Sequence, residues 1–383
     1  MRGREVGWGL YLAGLPFAHF VLWPSQLTPW QAQTFWGVGG LAILLGVSLA
    51  QPGRVVCANR PLGWWVGWVG LSVIWIWSAV IRTDRQHPIG LLLPLMHTLC
   101  LPLFYVAATR QWSADLLARL VRWVAISGVV VVAYGVLQVL QLDQFYRSVD
   151  RAEMRDSVLG TMGNPTHYGI HVALLLPIFL WQPGWWWKLV AGVGGSLLFA
   201  TRSSSAVVAG LVVGVWWVWC ERRLFIIPLL TVLAVVGGVL LWRFPDWLNP
   251  HGRWEAWHAL WQHYLVGQQK LQVTGAGLGS VMEQSLRNPL GWPFQWRHAH
   301  NEFFQVLIEQ GVVGFGLVLW GVGHAIHRWR RLSVMPVRNM IAGMGMVFVV
   351  TSLLNFPAHL WVLASLGLVA YCGVYALASE GSG

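Results

Sequence analysis

The stretch HAHNEFFQVLIEQGVVGFGLVLWGVGHAI at residues 298–326 joins a polar beginning to a long apolar run. After Phe303, the first ionisable side chain is Glu309 and the next is His324. A helix needs about 20 mostly apolar residues to cross the hydrocarbon core of a bilayer. The stretch therefore predicts a transmembrane helix whose first turns carry polar side chains.

Similar apolar runs recur along the chain and predict an all-α, polytopic membrane protein. Of its 383 residues, 56% are hydrophobic and 10% are charged, whereas soluble domains have about 25% charged residues. These proportions exclude an ordinary soluble enzyme, a disordered chain and a disulfide scaffold. We expect about twelve transmembrane helices in a single integral membrane domain spanning residues 1–383. They lie at about 6–23, 32–50, 61–81, 89–109, 119–140, 168–182, 185–200, 206–220, 224–242, 303–326, 339–356 and 358–378.

The basic residues predict the orientation, because cytoplasmic loops carry an excess of Lys and Arg. With the N-terminus inside, the cytoplasmic segments hold 14 of the 25 basic residues and four acids. The other side holds 11 basic residues and nine acids. Both termini are therefore expected in the cytoplasm, and the long loops at 141–167 and 243–302 on the periplasmic side. The 28 Trp residues fit an interfacial belt, with sugar stacking by Trp254, Trp257 or Trp292 as the alternative.

An arginine followed by three serines lies between the seventh and eighth segments, from Arg202 to Ser205. Serine hydroxyls cap helix N-termini, where free N–H groups and the helix dipole attract anions. Arg202 and Ser203 are therefore candidates for an anion site at the outer face. A snorkelling arginine with ordinary serine caps is the alternative.

Arg253 begins a predicted amphipathic helix that runs to about residue 265 in the second long loop. A glycine-rich turn follows at 274–279. It is not a dinucleotide fingerprint, because Ser280 stands where the third glycine is needed and no βαβ pattern surrounds it. A second anion-binding arginine is one interpretation of Arg253, and a salt bridge with Glu255 or Asp246 is the other.

His298, Glu302, Gln305 and Glu309 have the spacing of one helical stripe. Glu309 lies about two turns inside an apolar segment, where an ionisable residue suggests function. A structural hydrogen-bond anchor is the alternative for Glu309. His300 is the best general-base candidate, because it is external, close to the membrane surface and able to titrate near neutral pH.

Asn164 and Pro165 mark a turn before a helix, and His167 and His171 follow one turn apart. Two histidines at this spacing could bind a metal, but no third ligand is evident. There is no Asp-x-Asp motif, and the first external loop at 24–30 has no acid. We therefore expect no metal and no cofactor, so that chemistry would rely on arginine and histidine.

Taken together and in this order, these pieces resemble the O-antigen ligase and polymerase family of bacterial membrane proteins. The match covers about residues 160–315, and the N-terminal half matches in hydropathy only. The matching pieces are Gly-Asn-Pro at 163–165, Thr-Arg-Ser at 201–203, Gly-Arg-x-x-x-Trp at 252–257, Gly-x-Gly at 275–277, His-Asn-Glu-Phe at 300–303, Glu-x-Gly-x-x-Gly at 309–314 and Asn-Phe-Pro-Ala-His at 355–359.

The resemblance implies a GT-C type glycosyltransferase in the bacterial inner membrane, with its active site facing the periplasm. Such an enzyme transfers a glycan from undecaprenyl pyrophosphate to an acceptor hydroxyl, with inversion and without a metal. A ligase uses lipid A-core as acceptor, and a polymerase uses a second lipid-linked glycan. Membrane lipids are further partners, and no nucleic acid is expected.

The resemblance also implies roles for individual residues. Arg202 and Arg253 would bind the pyrophosphate and neutralise the charge of the leaving group. His300 would remove the proton from the acceptor hydroxyl or orient that hydroxyl. Asn301 and Glu309 would support the helix that carries His300. Ser203, Asn164, Asn301 and Glu309 are further candidates for substrate binding.

Two other classes of function remain open. A transporter of an anionic lipid-linked substrate would place arginines along a midplane pathway, whereas here the candidate arginines lie at outer helix ends. A structural scaffold in an envelope complex would not require Arg202, Arg253 and His300 to converge. The three-dimensional arrangement of these side chains therefore separates the hypotheses.

Overall fold

The computed structural model describes residues 2–21, 29–50, 88–143, 158–227, 253–266, 273–283, 298–333 and 335–378, with isolated positions and two-residue pieces between them. The helices are α1 (Arg2–Gly14), α2 (Ala18–Val21), α3 (Pro29–Ala50), α4 (Pro88–Gln111), α5 (Ala114–Val139), α6 (Pro165–Trp181), α7 (Trp185–Ala200), α8 (Ser204–Glu221), α9 (Arg253–Trp261), α10 (Ser280–Glu283), α11 (Glu302–Trp329), α12 (Met335–Leu354) and α13 (Trp361–Ala378).

Short elements complete the described part of the chain. A π-helical turn at Gln262–Val266 extends α9. Two-residue strands, β1 (Leu286–Arg287) and β2 (Gln295–Trp296), pair antiparallel with Leu286 opposite Trp296. Four 3-10 turns lie at Leu15–Phe17, Gly160–Met162, Arg223–Phe225 and Pro357–His359.

Within these ranges, four helices are long and apolar enough to cross a membrane: Ala114–Val139, Ser204–Glu221, Glu302–Trp329 and Pro336–Leu354. Ala32–Val47 and Trp361–Leu377 are shorter apolar helices. The chain thus has the character of a helical membrane protein, whereas the expected number of twelve spans stays a prediction. The third predicted segment, 61–81, lies almost wholly outside the described residues, and the ninth, 224–242, is described only in pieces.

Helix α6 lies at the centre of the packing. Every residue from Tyr168 to Phe179 is buried, and the helix contacts α5, α7, α8, α12 and α13. A helix that is apolar on all sides is stable only when neighbours surround it. The short apolar segment predicted at 168–182 is therefore a core helix of the bundle.

The helices around α12 run antiparallel to it. At one end, the Trp216 indole of α8 donates to the Asn339 carbonyl (3.0 Å), and the Arg338 guanidinium lies over the Trp329 ring of α11. We call this the arginine end, defined by Arg222, Arg223, Arg330, Arg331 and Arg338. The opposite end of α12 is the histidine end, where Phe356, two residues beyond α12, contacts His167 in the first turn of α6 and His300 just before α11.

Helix α11 is not the continuous span that the sequence predicts, because it breaks at Gly311 (φ 70°, ψ −169°). The glycine-rich turn packs into the break. The N–H groups of Ala276 and Gly277 donate to the carbonyls of Ile308 and Glu309 at 2.8 and 2.9 Å. A side chain at Gly275 (φ +81°) would overlap the backbone at Gly311. The two glycine motifs of the sequence therefore form one structural unit.

Candidate functional site

Phe356 brings together three histidines from distant parts of the sequence. Its ring centroid lies 4.4 Å from that of His298, 4.8 Å from that of His300 and 5.6 Å from that of His167. His298 stacks on the ring, and the other two meet it edge-on. Phe356 follows the last turn of α12, so this contact joins three of the motifs at the histidine end.

Arg253 is buried at the start of α9, with 7% of its surface exposed. Its Nη1 donates to the Leu354 carbonyl of α12 at 2.5 Å, and within the described part of the chain Nε has no acceptor. Within the described residues, the structure shows a carbonyl and not the Glu255 carboxylate as the partner of Arg253, and Asp246 lies outside the described residues. Burial lowers the pKa of Arg253 to about 10, so the guanidinium stays positive at neutral pH.

The peptide group of Ala299 is held from both sides. The Trp257 indole of α9 donates to its carbonyl at 2.6 Å, and its N–H donates to the Gln305 Oε1 of α11 at 3.1 Å. The next residue, His300, has a left-handed backbone with φ 51°. Such a conformation costs a non-glycine residue about 1 kcal/mol or more and persists when neighbours enforce it. Trp257 and Gln305 supply that enforcement here.

Glu302, which is buried, and His359, which is half-buried, form a pair across the histidine end. His359 Nδ1 lies 3.0 Å from Glu302 Oε2, and Glu302 Oε1 also accepts from the Ala358 N–H at 2.6 Å. Burial lowers the pKa of His359, but the charge and hydrogen bond of Glu302 and the charge of Glu309 outweigh it and raise that pKa above its ordinary value. The pair ties the first turn of α11 to the turn between α12 and α13.

Gln305 connects the pair to the rest of the stripe. Its Nε2 lies 3.3 Å from Glu309 Oε1, 3.3 Å from His359 Nε2 and 3.4 Å from His298 Nδ1. The stripe is therefore a contact network, as its spacing predicts. One part of the prediction is wrong, because the helix begins at Glu302 and His298 reaches Gln305 from the preceding turn.

Glu309 has the surroundings of a hydrogen-bond anchor. Its buried carboxylate accepts from the N–H groups of Gly279 and Val281 and from Gln305. These donors hold the glycine-rich turn against the break in α11. The structure thus favours the anchor alternative for Glu309 over contact with a substrate.

Three of the candidate binding residues are N-caps of helices that begin at the histidine end. Asn164 Oδ1 accepts from Thr166 and His167 N–H groups at the start of α6. Ser203 caps α8 through the Ala206 N–H, and Asn301 caps α11 through the Phe304 N–H. Three positive helix ends therefore lie on the same side of the bundle.

Arg202 lies at the same end, in the turn before α8. Its side chain is exposed, and its backbone is left-handed with φ 54°. Among the described residues, only Gln141, Arg202 and His300 are non-glycine residues with positive φ. Two candidate site residues thus share an uncommon backbone conformation that clusters at functional sites in proteins.

Sequence reasoning missed several groups that build this site. Helical spacing identified Glu302 and Gln305 as members of a stripe, but it gave no sign that His359 would be their partner. For Trp257 the sequence suggests sugar stacking and a place in the Gly-Arg-x-x-x-Trp piece, whereas in the structure its indole N–H donates to the Ala299 carbonyl. The position of His359 in the Asn-Phe-Pro-Ala-His segment was the one available signal for that residue.

Within the described ranges, no group of three or more His, Cys, Asp or Glu side chains is placed to hold a metal. His167 and His171 point to different surroundings: the ring of His167 contacts Phe356, and His171 is buried in the core of the bundle.

Comparison of the sequence with protein-family models and with curated proteins finds no match.

Proposed function

We propose that this protein is an inverting, metal-independent glycosyltransferase of the bacterial inner membrane, similar to O-antigen ligase. It transfers a glycan from undecaprenyl pyrophosphate to an acceptor hydroxyl. The observation that carries the proposal is Arg253, a buried cation whose one bonded partner among the described residues is a carbonyl. A buried guanidinium with spare N–H donors suits bidentate binding of a phosphate.

The surroundings of Arg253 support binding of a pyrophosphate headgroup. The N-termini of α6, α8 and α11 begin at the same end of the bundle, and each adds positive potential. Arg202 adds a second guanidinium in the turn before α8. Together these groups stabilise the charge that develops on the leaving pyrophosphate, a role that often contributes several kcal/mol to catalysis.

His300 supplies the base on the acceptor side. The acceptor oxygen attacks the anomeric carbon as the bond from that carbon to the pyrophosphate oxygen breaks. The acceptor proton passes to the His300 imidazole, and the pyrophosphate leaves with the electron pair of the broken bond. Attack opposite the leaving group inverts the anomeric centre, and no covalent enzyme intermediate is needed.

The proposed topology has about twelve transmembrane helices in a GT-C type arrangement, with both termini in the cytoplasm. The histidine end then faces the periplasm. The antiparallel packing of α8 and α11 on α12 supports this topology. It places the basic ends of these helices at the arginine end and the histidines at the opposite end. A transporter is disfavoured, since Arg253 binds the last turn of α12 instead of lining a path between helices.

The experiment supplies purified protein with a defined undecaprenyl-pyrophosphate glycan and either lipid A-core or a second lipid-linked glycan. Product mass separates a ligase from a polymerase. Arg253→Gln is expected to lower transfer by about 100-fold or more, because it removes charge stabilisation in the transition state. Arg223→Gln, an exposed change at the arginine end, is the matched control. Equal activity of both variants would remove Arg253 from the mechanism.

A further inference from the structure

A cavity of about 10 Å³ lies where α1, α5, α6 and α13 pack together. Leu12 and Pro16 line it from α1 and from the 3-10 turn that follows. The cavity has room for one molecule the size of water and is too small for a sugar or a lipid chain. Arg202, Arg253 and His300 are not among its lining residues, so it is distinct from the candidate functional site.

Three polar side chains interrupt the apolar wall of this cavity. They are Ser127 of α5, His171 of α6 and Ser365 of α13. All three are buried, and the exposed fractions of His171 and Ser365 are 2% and 1%. Because the three side chains line the same small space, one molecule the size of water can contact all of them.

Two of these side chains lack a hydrogen-bond partner. His171 Nδ1 is a buried nitrogen without one in the described part of the chain. The buried Ser365 Oγ makes no hydrogen bond of regular geometry there either, although the Tyr11 hydroxyl lies beside it. A buried donor or acceptor without a partner destabilises the folded state, because it has lost its bonds to water. The cavity therefore brings together two groups that each require a partner.

Ser127 provides a hydrogen-bond acceptor for a molecule in the same cavity. Its hydroxyl donates to the Ala13 carbonyl of α1 at 2.8 Å, which leaves lone pairs on Oγ that can accept. The regular helix ends just after Ala13, because Pro16 has no N–H with which to continue it. Ser127 thus joins the end of α1 to α5 and still has acceptor capacity at the cavity.

The chemistry of the lining favours a neutral molecule over an ion. The described residues that line the cavity include no Asp, Glu, Lys or Arg, so a bound ion would lack a compensating charge. Two hydroxyls and one imidazole nitrogen suit a molecule that both donates and accepts hydrogen bonds. Water has this chemistry and the size that the cavity admits.

We propose that this cavity binds one water molecule, which joins α5, α6 and α13 beside the end of α1. The water donates to Ser127 Oγ and His171 Nδ1 and accepts from the Ser365 hydroxyl. Three hydrogen bonds are usual for a buried water, and this arrangement places the proton of the His171 ring on Nε2. The site goes beyond the proposed function, because it does not depend on the reaction that the protein catalyses.

The water stabilises the position of α6 close to the histidine end. His171 lies one turn after His167, whose ring contacts Phe356. Because the water bonds His171 to α5 and α13, it opposes sliding of this part of α6 against those helices. The first turn of α6, which includes His167, is therefore held in place from inside the bundle.

A cryo-EM map of the purified full-length protein, in which ordered waters are visible elsewhere, tests the site directly. We expect one isolated density peak within about 2.7–3.2 Å of Ser127 Oγ, His171 Nδ1 and Ser365 Oγ. Absence of this peak, or density continuous with a detergent or lipid molecule, would overturn the proposal. The wild-type map is sufficient for this decision if a variant does not fold.

Thermal unfolding gives a second test, in which the sign of the effect is decisive. Ser365→Ala removes one bond to the water and should lower the unfolding temperature by about 2 °C or more. Removal of a hydroxyl that has no partner would leave this temperature unchanged or raise it, and that result would contradict the proposal. Ser196→Ala, an exposed change on α7, is the matched control and should have no effect.

Tyr11→Phe separates the water from the tyrosine hydroxyl beside Ser365. The loss caused by Ser365→Ala should persist in the Tyr11→Phe background, because the bond to the water does not involve Tyr11. Disappearance of the loss in that background would assign it to a contact between Tyr11 and Ser365 and would overturn the proposal.

Discussion

At the scale of single residues, the buried charge of Arg253 destabilises the folded protein but leaves a cation available to bind an anionic ligand. Its guanidinium is buried, and in the described structure it has a carbonyl partner but no carboxylate. Removing a charge from water without a compensating anion is expensive. Such an arrangement is expected where a protein keeps a cation ready for an anionic ligand, which would provide the compensation.

Arg253→Met should therefore separate stability from activity. Methionine keeps much of the side-chain volume and removes the buried charge, so we expect the free energy of unfolding to rise by about 1 kcal/mol. Glycan transfer should fall by about 100-fold or more. Thermal unfolding in detergent and a transfer assay check the two effects. A loss of about 3 kcal/mol in stability would show that Arg253 has a structural partner instead.

The Glu302–His359 pair predicts a pH dependence of stability. The folded-state pKa of His359 is raised, so its contribution to stability is full below the ordinary pKa of about 6.5. That contribution is lost as pH rises through the folded-state value. Unfolding temperatures at pH 6 and pH 9 should differ more in the wild type than in Glu302→Gln. An unchanged difference would show that the pair does not control His359.

At the scale of elements, the break in α11 and the glycine-rich turn depend on each other. The sequence predicts a continuous apolar helix, because hydropathy does not report a single residue such as Gly311 in a non-helical conformation. The partner turn lies more than 30 residues earlier in the chain, so no local pattern connects the two. What the sequence does show is glycine at 275, where a side chain would overlap the backbone of α11, and at 311, where that backbone is not helical.

Gly275→Ala should destabilise the protein by about 2 kcal/mol or more. A Cβ at this position would overlap the backbone of α11, and the positive φ disfavours alanine. Gly316→Ala is the control on α11, because no atom lies within 4 Å of a Cβ placed there. That change should be neutral or stabilise by up to about 1 kcal/mol. Similar losses for both variants in thermal unfolding would contradict the packing described for the turn.

The hydrogen bonds from Trp257 and to Gln305 hold the Ala299 peptide group. They predict that α9 controls the position of the next residue, His300. Trp257→Phe keeps an aromatic ring and removes the N–H that donates to the Ala299 carbonyl. We expect kcat to fall about 10- to 100-fold with a smaller change in KM, because small misplacements of a catalytic group are costly. Trp261→Phe, an exposed change on the same helix, is the control. An effect on KM alone would point to a role in substrate binding.

At the scale of the whole molecule, apolar patterning predicts helices well and their arrangement poorly. The three short segments between 168 and 220 are indeed three helices, because their composition leaves no other stable state in an apolar environment. The convergence of His167 on Phe356 and of Arg253 on the end of α12 depends on contacts between residues about 190 and 101 positions apart. The motif order pointed to this convergence, but only the packing supplies it.

The two ends of the bundle should lie on opposite sides of the membrane. In a variant without its native cysteines, Trp254→Cys at the histidine end should react with a membrane-impermeant thiol reagent added to the periplasm of intact cells. Ser333→Cys, which is exposed at the arginine end, should react only after the membrane is permeabilised. The reverse pattern would invert the proposed topology.

The most direct test of the central claim is glycan transfer by the purified wild-type protein in the presence of a metal chelator. The substrates are a defined undecaprenyl-pyrophosphate glycan and either lipid A-core or a second lipid-linked glycan. The account predicts a product in which the glycan is joined to one of these acceptors, with its anomeric configuration inverted relative to the donor. The absence of any product with either acceptor from folded protein, or retention of the anomeric configuration, would contradict it.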